Sequence, residues 1–461
     1  MAGNRDRSHL MSLILDPSQR AAIDLMERGK NVFLTGDAGT GKSTVITTFL
    51  GAALNCDPDV TATTGVAALN LRDQFEARSG LLLPVSTIYR WAGIMLGPRL
   101  GESNEDCLSR LRREMVSAPR IARSRARAWY RVEHAECLVI DEISMLPGRV
   151  FSFLEFLCRS LRNDDAPWGG LQIIAVGDFL QLPPVAKDGL YDWAFQTPAW
   201  EATQFVPAVL RHIHRQADPV FLGLLNAVRR GHVNGTHSHL LSSRVALFPP
   251  SSLLRLFTHN IQVDKWNLMR LGVIDSPVHQ FIMTDTGHPE CEWIRKSLLT
   301  PEILDLKVGA RVMVTANLSK PPPGGGRSEL YAVNGAIGTV TDIHTPTNLP
   351  SPYDSIELDL DDGTHIDVFR YTWLVDPAHE ERGGVTQFPL RLAWAATIHK
   401  VQGLSLDAAL IDARATREPG QTYVALSRVR TLPGLWLRDI FTGLWISNEA
   451  IEFMDKLSPG S

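Results

Sequence analysis

Apolar and polar positions along this chain follow two rhythms. In the first half, short unbroken apolar runs, NVFLT (31–35), CLVIDEIS (137–144) and LQIIAVGD (171–178), are separated by helically spaced stretches such as TVITTFLGAAL (44–54). Unbroken runs bounded by turn residues read as strands buried on both faces, and strands separated by helices read as a parallel α/β sheet. Upstream, Leu15-Asp16-Pro17-Ser18-Gln19 opens a helix, with Pro17 at a position where its missing N–H costs nothing. After Val206 the pattern changes: VLRHIHRQADPVFLGLLNAVRRG (209–231) reads as helices broken near Arg215 and Gln216. A strand at RLFTHN (255–260), a helix over 263–271, a strand at DAALID (407–412) and a helix in GQTYVALSRVR (420–430) complete a second α/β unit.

Between the two parts of that second unit the period becomes two. LKVGARVMVTANL (306–318), VNGAIGTVTDI (333–343) and SIELDLDDGTHIDV (355–368) alternate, with Asp362-Gly363 as a hairpin signal. Ile356, Leu358 and Leu360 face one side, while Glu357, Asp359 and Asp361 face water. The expectation is a small β-barrel at about 308–388, with the Pro321–Gly326 run as a loop at its start. The predicted organisation is a first α/β unit over 1–206 with a small accessory insertion near 72–95, and a second over 207–461 interrupted by the barrel.

Composition narrows the class. The 461 residues are 44% apolar and 21% charged, with 46 Lys+Arg against 50 Asp+Glu, so no global basic field announces a polyanion binder and such binding would need a local groove. Five cysteines without a C-x-x-C pair favour neither a disulfide framework nor a zinc site, and a reducing, intracellular setting is expected. No apolar run approaches the ~18 residues of a membrane helix. The histidines show no H-x-x-x-H pair, and no protein-ligated transition metal is expected.

The strongest chemistry lies where the first strand meets its helix. GDAGTGKST, Gly36, Asp37, Ala38, Gly39, Thr40, Gly41, Lys42, Ser43 and Thr44, has the G-x-x-x-x-G-K-S spacing in a strand–loop–helix context. Its glycines let backbone N–H groups turn onto phosphate oxygens, Lys42 reaches the β and γ phosphates of ATP, and Ser43 can bind Mg²⁺. Asp141 and Glu142, at the carboxyl end of a strand, are candidates to hold that metal and to orient or deprotonate the attacking water. Alone they would read equally well as a solvated turn. Gln181, in a loop stiffened by Pro183 and Pro184, stands at the same edge. Gln19 could read an adenine edge or serve as a surface glutamine. Arg215 and Arg428 are candidate arginine fingers, supplied across a cleft to a nucleotide held by the first unit.

Taken in order, GDAGTGKST, TTGVAAL, VIDEISML, GDFLQLPPV, HRQ, TIHKVQG and YVALSR resemble the motif series of superfamily 1 helicases, specifically the petite-integration-frequency (Pif/Rrm-type) 5′-to-3′ DNA helicases. The segment EISMLPGRVFSFLEFLCRSLR is similar to that family's own signature, and the resemblance runs from about residue 13 to 455. It implies two RecA-like parallel-sheet domains closing on ATP and Mg²⁺, with single-stranded DNA crossing both, and unwinding of duplex, forked or structured DNA in genome maintenance by a chain monomeric without DNA. It assigns TIHKVQG to the second domain as the coupling element, with Gly403 on the ATP side, and it implies DNA contacts from Thr64, Gly65, Pro183, His399 and Lys400. Tyr89, His214 and Val401 depart from the family pattern and carry no inherited role.

A kinase or small-molecule ATPase would leave HKVQG and ALSR unexplained, and a scaffold with a vestigial ATPase would not keep Lys42, Asp141, Glu142, Arg215 and Arg428 intact. Eight arginines against one acid between Arg110 and Arg131 read as a solvated helix face in preference to a DNA track. Trp91, Trp129 and Trp168 read as core or rim aromatics in preference to base-stacking platforms.

Overall fold

The structure, a computed structural model, describes residues 15–52, 58–79, 83–94, 97–117, 119–186, 190–214, 216, 218–288, 291–320, 329–345, 354–374, 383–413, 416–441 and 443–457. The Pro321–Gly326 run and Arg215 lie outside them.

The first half is one six-stranded sheet, β1 (Val32–Gly36), β2 (Asp59–Ala62), β3 (Val85–Thr87), β4 (Cys137–Asp141), β5 (Gln172–Val176) and β6 (Val206–Leu210), ordered β3-β2-β4-β5-β1-β6 and parallel throughout. Its central strands are apolar at consecutive positions because both faces are covered. Phe33, Leu138, Ile140, Ile173 and Ala175 enter one core, and Val32, Leu34, Cys137, Val139, Ile174 and Val176 the other. The first core is filled largely by helix Gly148–Arg162, whose Phe151, Phe153, Leu154, Leu157 and Cys158 are fully buried. The signature-like segment is thus a packing element. Trp91 and Trp168 are core residues, and the Trp168 indole N–H donates to Thr203 Oγ1 at 2.8 Å.

Two boundaries differ from expectation. Residues 72–95 are not an accessory insertion: their described part is most of α3 (Gly65–Ser79), edge strand β3 paired to β2, and the short helix Ile88–Trp91. Residues 207–210 do not begin the second unit either: with Val206 they form β6, which pairs with β1 along five residues. A five-residue edge strand beside a helix-like run offers too little period to be told apart by pattern.

The second half holds a four-stranded parallel sheet, Ala395–Thr397, β7 (Leu254–Phe257), Ala409–Ile411 and Leu435–Leu437 in that order. In sequence between β7 and Ala395–Thr397 comes an antiparallel sheet of Arg311–Val314, Ile337–His344, Ser355–Leu360, His365–Phe369 and Leu390–Leu392. Ile356, Leu358 and Leu360 are buried as the alternation requires, and Gly363 closes the hairpin at φ 87°. Among the described residues this sheet is open, with His365–Phe369 and Leu390–Leu392 as its edges, while Leu318–Lys320 pairs separately with Glu329–Ala332, and Tyr371–Leu374, Gly384–Gln387 and Thr284–Asp285 form a three-stranded sheet.

The free edge of the parallel sheet is closed by a side chain. Asn267, buried in helix Asn260–Gly272, accepts from the Ala395 N–H at 2.9 Å and donates to the Ala395 carbonyl at 3.1 Å, imitating a neighbouring strand. Replacing it with alanine strands two buried backbone groups. Asn267→Ala should therefore lower unfolding stability by about 2–4 kcal/mol, read as a drop in the urea midpoint; an unchanged midpoint would show that the edge is satisfied without it.

Candidate functional site

β1 ends at Gly36, and the loop after it turns into α2 (Lys42–Ala52) through Gly39 and Gly41, at φ of 84° and 85°. Side chains there would be strained. Lys42 folds back so that its Nζ donates to the carbonyls of Gly36 and Asp37 at 2.7 and 3.1 Å. Burial holds its ammonium below the usual lysine range, with Asp178 and Glu142 acting in the opposite sense. An ammonium resting on carbonyls inside a glycine loop, at the mouth of a helix N-terminus, is a cradle for phosphate oxygens.

The acids after β4 sit beside it. Glu142 adopts a left-handed conformation, φ 55° and ψ 43°, which a non-glycine residue holds only at some strain, and its side chain lines the same cavity as Lys42 and Ser43. Asp141 Oδ1 accepts the Glu142 N–H at 2.9 Å. Burial raises both carboxyls above their ordinary range; the neighbouring Glu142 charge raises Asp141 further, while Lys42 and Arg428 pull Glu142 back. That cavity, about 440 Å³, is also lined by Ala38, Gly39, Gly41, Thr44, Gln181, Gly403 and Arg428. Residues more than 350 positions apart in sequence therefore face one space.

Gly36, Asp37 and Thr40 shape the loop and do not line the cavity. A Cβ on Gly36 would lie 2.5 Å from the Leu210 carbonyl, and Thr40 Oγ1 donates to the Asp37 carbonyl at 3.0 Å. Gln19 is buried, which removes the surface alternative. Its carboxamide is already engaged: Oε1 accepts the Asp16 N–H at 3.1 Å in the capping box of α1 (Pro17–Glu27), and Nε2 donates to the Thr40 carbonyl at 3.2 Å. Gln181 is buried and donates to Asp178 Oδ2 at 3.3 Å. Arg428 lines the cavity with its guanidinium held on the Val424 carbonyl at 2.9 Å and Ser427 Oγ at 2.9 Å.

Pattern reading missed the residues that tie the halves together. Arg229, at the end of helix Pro219–Arg230, is buried and reaches Asp37 at 2.7 Å and Asp178 at 2.9 Å. Burial works against its charge, but Asp178 and Asp37 more than offset this and raise it, while Arg229 and Lys42 hold the buried Asp178 carboxyl below its usual range. Tyr423 Oη accepts the Ala38 N–H of the phosphate loop at 2.9 Å. Gln402, inside TIHKVQG, donates to Glu142 Oε2 at 3.1 Å. Within the second half, Gln216 donates to the Ser427 and Val429 carbonyls, both at 3.2 Å. Gly420 allows the closest approach, since a Cβ there would lie 2.4 Å from the Gln181 carbonyl. Gln402 and Tyr423 stood within quoted motifs, whereas Arg229 carried no signal beyond a basic helix end.

The residues expected to touch DNA are otherwise engaged. Pro183 is buried, so the loop meets solvent at Val185 instead. A Cβ on Gly65 would lie 2.3 Å from Ser297 Oγ, so the start of α3 is packed against helix Cys291–Ser297. Thr64 Oγ1 accepts the Ala67 N–H at 3.2 Å. His399 lies 3.5 Å from Glu418, and the half-buried Lys400 is held below the usual lysine range by burial and then by Arg391. The arginine run is only partly a solvated face. Arg125 is buried, donating to the Gly93 carbonyl and to Glu114 at 2.9 Å each, and Arg110 pairs with Glu102 at 2.8 Å.

Comparison with known proteins adds the following. A family model described as an AAA domain matches residues 19–187. The Bdellovibrio bacteriovorus protein named ATP-dependent DNA helicase Pif1 is 34% identical over 426 residues, covering 92% of this chain and 87% of that protein. The Danio rerio ATP-dependent DNA helicase PIF1 is also 34% identical, and the chain spans only 61% of its length. Among solved structures, Bacteroides sp Pif1 in complex with ADP-AlF4 is 29% identical with a TM-score of 0.73, covering 96% of this chain and 97% of that one. Bacteroides Pif1 bound to ssDNA is 30% identical with a TM-score of 0.61 at the same coverage.

The Gln402–Glu142 hydrogen bond generates a direct test. Gln402→Ala should lower nucleotide turnover by about ten- to a hundredfold, because it frees the acid beside the phosphate loop. Gln402→Glu, which sets a second carboxylate against Glu142, should lower it further. Wild-type turnover in both variants would remove Gln402 from the site.

Proposed function

Because this chain belongs to the Pif1 family of ATP-dependent DNA helicases, we propose that it couples ATP hydrolysis at the Lys42–Glu142 cavity to 5′-to-3′ movement along single-stranded DNA, unwinding duplex or forked DNA ahead of it. The two parallel sheets are its two RecA-like domains. In this reading the first domain spans 15 to about 210, β6 included, and the second follows, interrupted by the antiparallel sheet. The observation that carries the reading is the Gln402–Glu142 contact at 3.1 Å. It links the acid best placed to orient water with the motif assigned to DNA coupling, so nucleotide state and strand grip would share one hydrogen bond.

The roles follow from the geometry. Lys42 exchanges its carbonyl partners at Gly36 and Asp37 for β and γ phosphate oxygens when nucleotide enters. Glu142, its carboxyl raised by burial and steadied by Gln402, orients the attacking water and takes its proton. Arg428, and Arg215 as the second finger, meet the charge that develops on the transferring phosphoryl group. The Ser43 hydroxyl, lining the cavity, and the Asp141 carboxylate at the end of β4 are hard oxygen donors of the kind that would hold Mg²⁺. Mg²⁺ bound there would supply charge neutralisation between the phosphates. Gln19, packed against Gly41, is positioned to exchange its capping bonds for an adenine edge.

The DNA-facing residues are proposed to come free on domain movement. Thr64, Gly65, Pro183 and His399 are engaged by intramolecular packing or polar contacts here and Lys400 is half-buried, and the likeness is lower to the ssDNA-bound Bacteroides structure, 0.61, than to the ADP-AlF4 complex, 0.73. Both observations support an arrangement that must shift before a strand can cross both domains.

Unwinding of matched 5′-tailed and 3′-tailed duplexes tests the central claim: only the 5′-tailed substrate should be opened, and equal activity on both would remove the direction. Lys42→Ala should abolish hydrolysis while retaining most single-strand binding. Arg428→Ala should lower turnover by about 10³ with a much smaller change in ATP affinity. Matched losses of affinity with turnover intact would make Arg428 an ordinary ground-state contact.

A further inference from the structure

Chain folding brings together three metal-ligating side chains that the sequence separates by nearly 200 positions. We propose that Asp16, His212 and His214 form a binding site for one zinc-type transition-metal dication at the rim of the nucleotide cavity. Their ligand atoms all lie within 4.8 Å of one another. Ligand atoms around a tetrahedral zinc ion sit roughly 3.3 Å apart, given metal–ligand bonds of about 2.0–2.1 Å, so a small inward movement closes the set. Two imidazoles and one carboxylate with a solvent-facing fourth position suit Zn²⁺, Co²⁺ or Ni²⁺ and not the hard-oxygen chemistry of Mg²⁺.

The orienting shell is already built. Asp16 caps α1 with one oxygen only: Oδ1 accepts from the Ser18 N–H at 2.8 Å, Ser18 Oγ at 2.6 Å and the Gln19 N–H at 3.0 Å. That leaves Oδ2 facing His214 Nε2 at 3.3 Å. His214 is tethered by its backbone N–H to the Gly39 carbonyl at 2.8 Å, and the His212 ring stands 4.4 Å from its ring, centroid to centroid. The cap fixes the Asp16 carboxylate, and the backbone bond to Gly39 fixes the position of His214 along the chain, so two of the three ligands are placed before a metal arrives.

His214 Nε2 also faces two neighbours with opposite demands. It is 3.3 Å from Asp16 Oδ2, an acceptor, and 3.3 Å from Gln19 Nε2, a donor whose orientation is set by the capping box. A proton on His214 Nε2 serves the first and opposes the second; its absence does the reverse. A cation between Nε2 and Oδ2 uses the imidazole lone pair and the carboxylate together, and leaves the Gln19 amide on the Thr40 carbonyl. The other His–acid cluster, Asp342, His344 and Glu357, differs in this respect, because His344 already holds Glu357 at 2.7 Å on an exposed sheet face.

The test is Co²⁺ titration of the chelator-treated full chain, followed by visible absorption, with Zn²⁺ competition. One Co²⁺ per chain is expected, giving intense bands of a low-coordinate site that Zn²⁺ bleaches. His212→Ala, at an exposed position outside the catalytic cavity, should weaken Co²⁺ affinity by at least about tenfold. Asp16→Asn should do the same while keeping the helix cap, since asparagine caps as well as aspartate. His344→Ala should change nothing. Wild-type affinity in both His212→Ala and Asp16→Asn would overturn the site, as would loss of binding in His344→Ala alone. Circular dichroism of each variant separates lost binding from lost folding, and His212→Ala carries the test by itself if Asp16→Asn fails to fold.

Discussion

The halves of this molecule are joined at the phosphate loop by one buried guanidinium. Arg229 lies on a helix that packs into the second sheet's core, yet its charge is spent on Asp37 of the loop and Asp178 after β5. Two carboxylates that close together would repel each other and Glu142, and would be costly to bury. With Arg229 between them, Lys42 can stay half-buried beside them and still face the cavity. Removing the guanidinium would leave Asp178, fully buried, with Lys42 as its nearest counter-charge. Loop conformation, lysine position and the seating of one half on the other all depend on this contact.

Around it lie hydrogen bonds of a different kind. Tyr423 to Ala38 and Gln402 to Glu142 are single bonds, worth roughly 1 kcal/mol net for the first and about 1.5–3 kcal/mol for the second, whose acceptor is a carboxylate. Such contacts can be exchanged without unfolding either sheet. A charged clamp, combined with single hydrogen bonds that can be traded for ligand, is what a cleft needs in order to open and close while its halves stay in register. The left-handed backbone of Glu142 is held by Thr63, whose hydroxyl donates to its carbonyl at 3.1 Å, and by Asp141, which accepts its N–H at 2.9 Å, so the strain there is fixed by the surrounding loop.

Much of the site was legible before folding. The phosphate loop, the paired acids after β4, Gln181 and Arg428 are found where the motifs put them, because short strands and tight glycine turns are local and leave a local trace. Arg229 left none: a basic residue at a helix end is indistinguishable from one that serves the helix dipole. Pro183 and Gly65 read as exposed contacts and proved to be packed, since burial depends on what arrives from hundreds of residues away. The arginine run behaved similarly, with Arg125 drawn inward by carbonyls and Glu114 that no periodicity could supply.

What the sequence by itself determined is the set of elements and the chemistry at their ends: apolar runs at 31–35, 137–141 and 172–176, the period-two stretch around 356–360, and the residue types at each strand exit. These follow from interactions within a few residues or one repeat. Only the tertiary structure decided that Val206–Leu210 closes the first sheet, that 72–95 supplies an edge strand, that Gln402 meets Glu142, and that His212 and His214 stand against Asp16. Each of those is a pairing between surfaces far apart in the chain. Its free energy comes from shape, charge and buried partners that exist only once both surfaces have been built.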